Sequence, residues 1–288
     1  MVPDLGRANV NTNSTGDERL SPTHYDDLVG WWDFTDLSTM YTDAGTTNVS
    51  LNDDPVYRID NKAYTLQGNT INAIGTFLEN SSSGNRPLYK TATGGVNFDG
   101  TDDLLRATKA AGNVDTNKLS DTIFTGAEIT VFFVVQHDAT SVSADEYLFN
   151  MTGADVTDNM SVYVDDDSST DRWQWHHQDD FDRTHTILNC TKDLTAGKEL
   201  WTINISASPR FYRNGDSSDG GSTVTVNGSA GVFANDNIVN LSENDTDIQF
   251  NIGNGSLNGT VYEVLIYAGV VSGANEIRIN NYLLHKHK

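Results

Sequence analysis

Cysteine is nearly absent from this 288-residue chain: the single Cys190 excludes an intrachain disulfide framework. Bases are scarce as well. Against 40 Asp and Glu stand 18 Lys and Arg, a formal charge of −22. Such a surface repels nucleic acid and anionic membranes, which excludes both as partners. Long apolar runs are missing. No segment reaches membrane-spanning length, and the opening MVPDLGRANVNTNSTGDERL has no apolar stretch of signal-peptide size. The expectation is a soluble product made in a cytoplasm. Glutamate is the rarer acid, with 8 Glu to 32 Asp. Aspartate favours caps and turns, because its short side chain bonds nearby backbone N–H groups. The acidity therefore collects in corners, and a strand-rich, loop-rich fold follows.

What is present is β material. Hydrophobic residues make up 37 %, and 11 Tyr, 11 Phe and 5 Trp supply a core. Residues 1–24 are polar and pattern-free and read as an N-terminal arm. From Tyr25 short strands begin with LVGWWDF. EITVFFVVQ is apolar on both faces, as is VYEVLIY, which marks central strands. LWTINIS alternates Trp201, Ile203 and Ile205 with Thr202 and Asn204, predicting one wet face. RFYRNGD ends on Asn214-Gly215, a hairpin signal, with STVTV as the expected return strand. There is no βαβ rhythm and no repeat of fixed period. An antiparallel sandwich is predicted rather than a propeller or β-helix. One helix is expected at the end, in SGANEIRINNYLLHKHK. Ser272 would cap it, Glu276 sits in its first turn, and the closing His and Lys residues complement its dipole.

Two blocks carry a resemblance. The first holds LVGWWDFTDLSTMYTD, DDPVYRIDN, NRPLYKT and GGVNFDGTDDLL, between Leu28 and Leu105. The second is IGNGSLNGTVYEVLIYAGVVSGANEIRINNYL, from Ile252 to Leu283, and RFYRNGD lies between them. In this order they resemble the laminin-G-like, concanavalin A-like domains of tailed-bacteriophage virion proteins. The resemblance implies an all-β jelly-roll sandwich over residues 25–288, closed by a short C-terminal helix. It further implies a virion location and a structural role as capsid decoration or as a head- or tail-fibre component. The alternative is a glycan-binding module that recognises receptors. Other virion proteins would be the partners, reached through the arm, with host surface glycan as a second partner and homo-oligomers a common state. No trimer seam is legible. Residues 150–190 match no pattern of the family.

Candidate sites divide between chemistry and architecture. In FDGTDD, Asp99, Asp102 and Asp103 could donate oxygens to calcium, which takes six to eight. The leading reading is a corner, with Asp99-Gly100 making the turn and the other two bonding loop amides. No cofactor is expected, calcium being the one ion this turn would accept. In DRWQWHHQDDFDRTH, Trp173 and Trp175 share a strand face and Gln174 and His176 the other. Trp173, Trp175, His176 and His177 form a candidate sugar-binding set, with core filling as the leading reading of the two Trp. His176, His177 and His185 make a poor metal set, because adjacent strand residues point oppositely.

Catalysis finds no foothold in these motifs. Concanavalin A-like glucanases aim alternating carboxylates from one strand into a cleft. The nearest match, Glu243-Asn244-Asp245-Thr246-Asp247, has polar residues where such a strand needs an apolar back. The chain has no G-x-S-x-G elbow, H-E-x-x-H helix, P-loop or G-x-G-x-x-G. Cys190 has no evident base beside it. Asp165, Asp166 and Asp167 read as a solvated turn. On this basis the expectation is that the chain is not an enzyme.

Overall fold

Alternating apolar residues sort this chain into two antiparallel sheets. The computed structural model describes residue 22 and residues 27–66, 74–109, 128–139, 142–152, 159–166, 171–178, 185–206, 208–226, 229–230, 248–254, 256–271 and 273–288. The early strands are β1 (Leu28–Asp33), β2 (Met40–Tyr41), β3 (Arg58–Asp60), β4 (Phe77–Glu79), β5 (Leu88–Lys90), β6 (Gly95–Asp99), β7 (Leu105–Lys109), β8 (Ile129–His137) and β9 (Glu146–Thr152). The later ones are β10 (Asn159–Asp165), β11 (Arg172–Gln178), β12 (His185–Cys190), β13 (Lys198–Ile205), β14 (Arg210–Arg213), β15 (Asp216–Gly220), β16 (Ser222–Val226), β17 (Ser229–Ala230), β18 (Ile248–Ile252) and β19 (Asn258–Tyr267). A one-turn helix, α1 (Lys62–Leu66), and the terminal α2 (Ala274–Lys286) complete the set. The smaller sheet runs β15-β14-β13-β8-β19-β6-β5, with β1 also on β19. The larger runs β17-β16-β12-β11-β10-β9-β18-β7-β4-β3-β2.

The all-β sandwich with a C-terminal helix that the sequence predicts is the fold observed. β8 lies between β13 and β19, as its two apolar faces require. Its Ile129, Val131, Phe133 and Val135 face the layer between the sheets, where Trp32, Phe98, Phe149, Trp201 and Phe250 pack. Its Phe132 and Val134 face the other way, into a second cluster with Leu200, Leu265, Tyr267, Ile279 and Leu283. Helix α2 thus roofs the outer face of the smaller sheet. That corrects the expectation of a wet face on LWTINIS. Thr202 and Asn204 are buried, and the Thr202 hydroxyl donates to Asn280 Oδ1 on α2 at 2.8 Å.

Two further expectations change. Asn214 and Gly215 do make the turn, both at positive φ (52° and 75°), but the returning strand is β15, directly after it. STVTV is instead β16 and pairs with β12 in the other sheet. The residue just before α2 is Gly273, at φ 60°, and it offers no side-chain cap. Ser272 lies outside the described residues, as do the arm apart from Pro22, the Glu243–Asp247 stretch and Asp167.

A buried ionic latch ties α2 down. Glu263 on β19 is 0 % exposed. It accepts from Trp31 Nε1 at 2.7 Å and Lys286 Nζ at 2.7 Å, and His287 Nε2 lies 2.6 Å away. Lys286 also donates to Asp33 at 2.6 Å, which Lys62 holds from the other side at 2.9 Å. A β-bulge between Val261 and Glu263 shifts the register of β19 against β8 at this point.

Candidate functional site

FDGTDD forms a corner between sheets, not a hairpin: β6 belongs to the smaller sheet and β7 to the larger. Gly100 turns the chain at φ 76°. Asp99 Oδ1 accepts from Thr101 N at 2.9 Å, and Asp103 Oδ2 accepts from Asp99 N at 2.9 Å. Carboxylates therefore build the bend by taking up its amides. The structure also brings all three acids together, with ligand oxygens of Asp99, Asp102 and Asp103 within 4.8 Å of one another. Burial pushes the Asp103 carboxyl up to about 6, and the Asp99 and Asp102 charges add to this while the bond from Asp99 N opposes it. Three acids would give a hard cation at most part of the oxygen shell that calcium takes.

Trp173 and Trp175 do not line a ligand surface. Both are 0 % exposed and lie in the core between the sheets, Trp173 edge-on to Phe133 at 4.9 Å. A sealed indole has no face for a sugar, so their place in the candidate set is corrected. His177 shares their inward face and is buried, with Trp175 Nε1 donating to its Nδ1 at 3.3 Å. His176 alone of that set points to the outer face of the larger sheet.

That outer face holds what the sequence reading missed. Strand register aligns Arg106 on β7, Asn251 on β18, Asn150 on β9, Ser161 on β10 and His176 on β11 as direct neighbours, one per strand. Their flanking residues, such as Ala107, Phe250, Phe149, Val162 and Trp175, all point inward. Arg106 Nε donates to Asn251 Oδ1 at 2.7 Å, and Asn251 Nδ2 donates to Asn150 Oδ1 at 3.0 Å. Asn251 and Ser161 are recessed, at 3 % and 2 % exposure, between half-buried Arg106, Asn150 and His176. Ser161 Oγ and, two residues along, Asn159 Oδ1 are buried without a hydrogen-bond partner. Beside them Tyr147 and Tyr163 stack at 5.1 Å, and Tyr163 OH donates to Gln174 Oε1 at 2.7 Å. A clue was in the text: Phe149-Asn150-Met151 and Phe250-Asn251-Ile252 share one apolar-Asn-apolar pattern and are cross-strand partners.

No family model and no curated protein matches the chain. Solved structures do. Trypanosoma rangeli sialidase in complex with 2,3-difluorosialic acid aligns at 13 % identity over 91 % of this chain and 33 % of that one, TM-score 0.49. A Ruminococcus gnavus IT-sialidase CBM40 bound to α2,3-sialyllactose aligns at 9 % over 65 % of this chain and 95 % of that one, TM-score 0.41. Leech intramolecular trans-sialidase aligns at 10 % over 60 % and 26 %, TM-score 0.39. The chain spans about a third of the length of the first of these. At such identities the likeness assigns neither activity nor ligand to this chain. Sialidases among the matches do overturn the expectation that it is not an enzyme, which rested on missing motifs alone; that exclusion is withdrawn.

Proposed function

We propose that this chain is a glycan-recognising sandwich module of a tailed-bacteriophage virion protein, set on the particle as a capsid decoration or as a head- or tail-fibre component. The observation that supports sugar recognition is the row Arg106–Asn251–Asn150–Ser161–His176 on the outer face of the larger sheet. Sugar hydroxyls both donate and accept, and so do amides, a serine hydroxyl and an imidazole. Strands lie about 4.8 Å apart, so one side chain per strand makes a ladder along which an extended saccharide can lie. Buried Ser161 Oγ and Asn159 Oδ1 are polar atoms that a ligand hydroxyl would satisfy. The virion setting is supported by the sequence resemblance at both ends of the chain. Multiple copies on a particle would convert weak single contacts into avidity.

The test is direct. The full chain should bind one or more bacterial surface polysaccharides, with Asn150→Ala and Asn251→Ala each weakening binding about tenfold while circular dichroism stays unchanged. Absence of binding across a broad glycan panel would remove the reading. Detection of the chain in purified particles tests the virion setting separately.

A further inference from the structure

We infer that the outer-face row selects acidic saccharides, with the guanidinium of Arg106 receiving a sugar carboxylate; this rests on the glycan reading above. In a chain with 40 acids to 18 bases, several of the described cations meet a carboxylate. Arg58 pairs with Asp60, Lys62 with Asp33 and Asp36, and Lys286 with Asp33 and Glu263. Arg106 does not. Among the described residues its one partner is an amide, Asn251 Oδ1, which takes Nε and leaves the two Nη groups to the face. Glu79 is its direct cross-strand neighbour, yet the two make no ion pair.

A guanidinium held by one edge is a fork already aimed. Its remaining N–H groups match the two oxygens of a carboxylate, and such charge-assisted pairs are stronger than neutral ones. Next along the row Asn251 is committed at both ends, its Oδ1 accepting from Arg106 and its Nδ2 donating to Asn150 Oδ1, which fixes the geometry. Beyond them lie Ser161 Oγ and Asn159 Oδ1, buried and unpartnered, a donor-acceptor and an acceptor for ring hydroxyls. The order is therefore carboxylate first, hydroxyls three strands away. The charge of −22 repels an acidic ligand at long range, but that field is screened beyond about 8 Å at physiological salt. Selection on this face is made by contact, not by steering.

The experiment places the full chain on an array that carries uronate and other carboxylated glycans beside their methyl esters and neutral counterparts. The expected result is binding of a carboxylated glycan at least about tenfold tighter than of its ester. Arg106→Gln should abolish that preference, and Arg106→Lys should restore part of it. Ser161→Ala should weaken binding while leaving the melting temperature equal or higher, because it removes a buried hydroxyl that has no partner. This variant keeps the test open if Arg106→Gln fails to fold. Equal binding of acids and esters overturns the inference and leaves the glycan reading standing. Acid-selective binding that both Arg106 variants retain also overturns it. No binding to any glycan removes both.

Discussion

Asp103 shows how one residue can serve a corner and still carry strain. Its carboxylate takes the Asp99 amide that a tight bend must satisfy, and that fixes it next to two other acids. Burial first, then the Asp99 and Asp102 charges, raise its carboxyl to about 6 from an ordinary 3.8. An acid raised on folding binds more protons in the folded state between those two values. Stability should therefore rise as pH falls through 6 towards 4. Solvent reaches this corner, so the gain between pH 7 and pH 5 is about 1 kcal/mol. Urea melts should show it in the wild type and a smaller gain in Asp102→Asn, which removes one of the repelling charges. A profile flat over that range in the wild type would refute the cluster as drawn.

Helix α2 works as a lid on the smaller sheet, with apolar contacts below and an ionic latch at its end. Asp33 sits at the latch. Burial alone would raise its carboxyl, yet Lys286 and Lys62 beside it and the bond from Thr35 hold it at about 2, below the ordinary 3.8. A carboxyl lowered on folding stabilises above its unfolded value, and that contribution disappears as pH falls through the folded one. Acidification from about pH 4 towards 2 should cost about 2 kcal/mol from this group. Lys286→Met should be weaker at pH 6 and lose less on acidification, as followed by denaturant unfolding at each pH.

Helix α2 is legible in the sequence through its basic end and first-turn Glu276, and β8 through its two apolar faces. The strand LWTINIS is legible too, but what covers it is not. Thr202 and Asn204 look like solvent-facing residues in one dimension, and only the docking of Asn280 makes them buried. Likewise STVTV reads as the partner of RFYR because it is near in sequence, whereas β15 closes that hairpin at once and frees β16 for β12. The outer-face row was illegible for the same reason. Its members are spread from Arg106 to Asn251 and become neighbours only through register, which period-two patterning does not encode.

At the scale of the whole molecule, indole mass is kept from solvent. All five tryptophans, Trp31, Trp32, Trp173, Trp175 and Trp201, are buried at 4 % exposure or less. Trp32 stacks on Phe250 at 5.1 Å, and Trp173 meets Phe133 edge-on at 4.9 Å, so indoles bridge the two sheets at two points along the sandwich. Among the described residues the large hydrophobics left exposed are Leu51 and Ile277. Intrinsic fluorescence then reports on the core alone. Acrylamide should quench the native protein weakly and the urea-unfolded protein strongly. A saccharide that saturates the outer face should leave the emission almost unchanged, because the indoles of Trp173 and Trp175 point away from it beneath the backbone of β11. Strong native quenching, or a large emission shift on sugar binding that Trp175→Phe removes, would return those two tryptophans to the ligand surface and take the Arg106–His176 row out of contention.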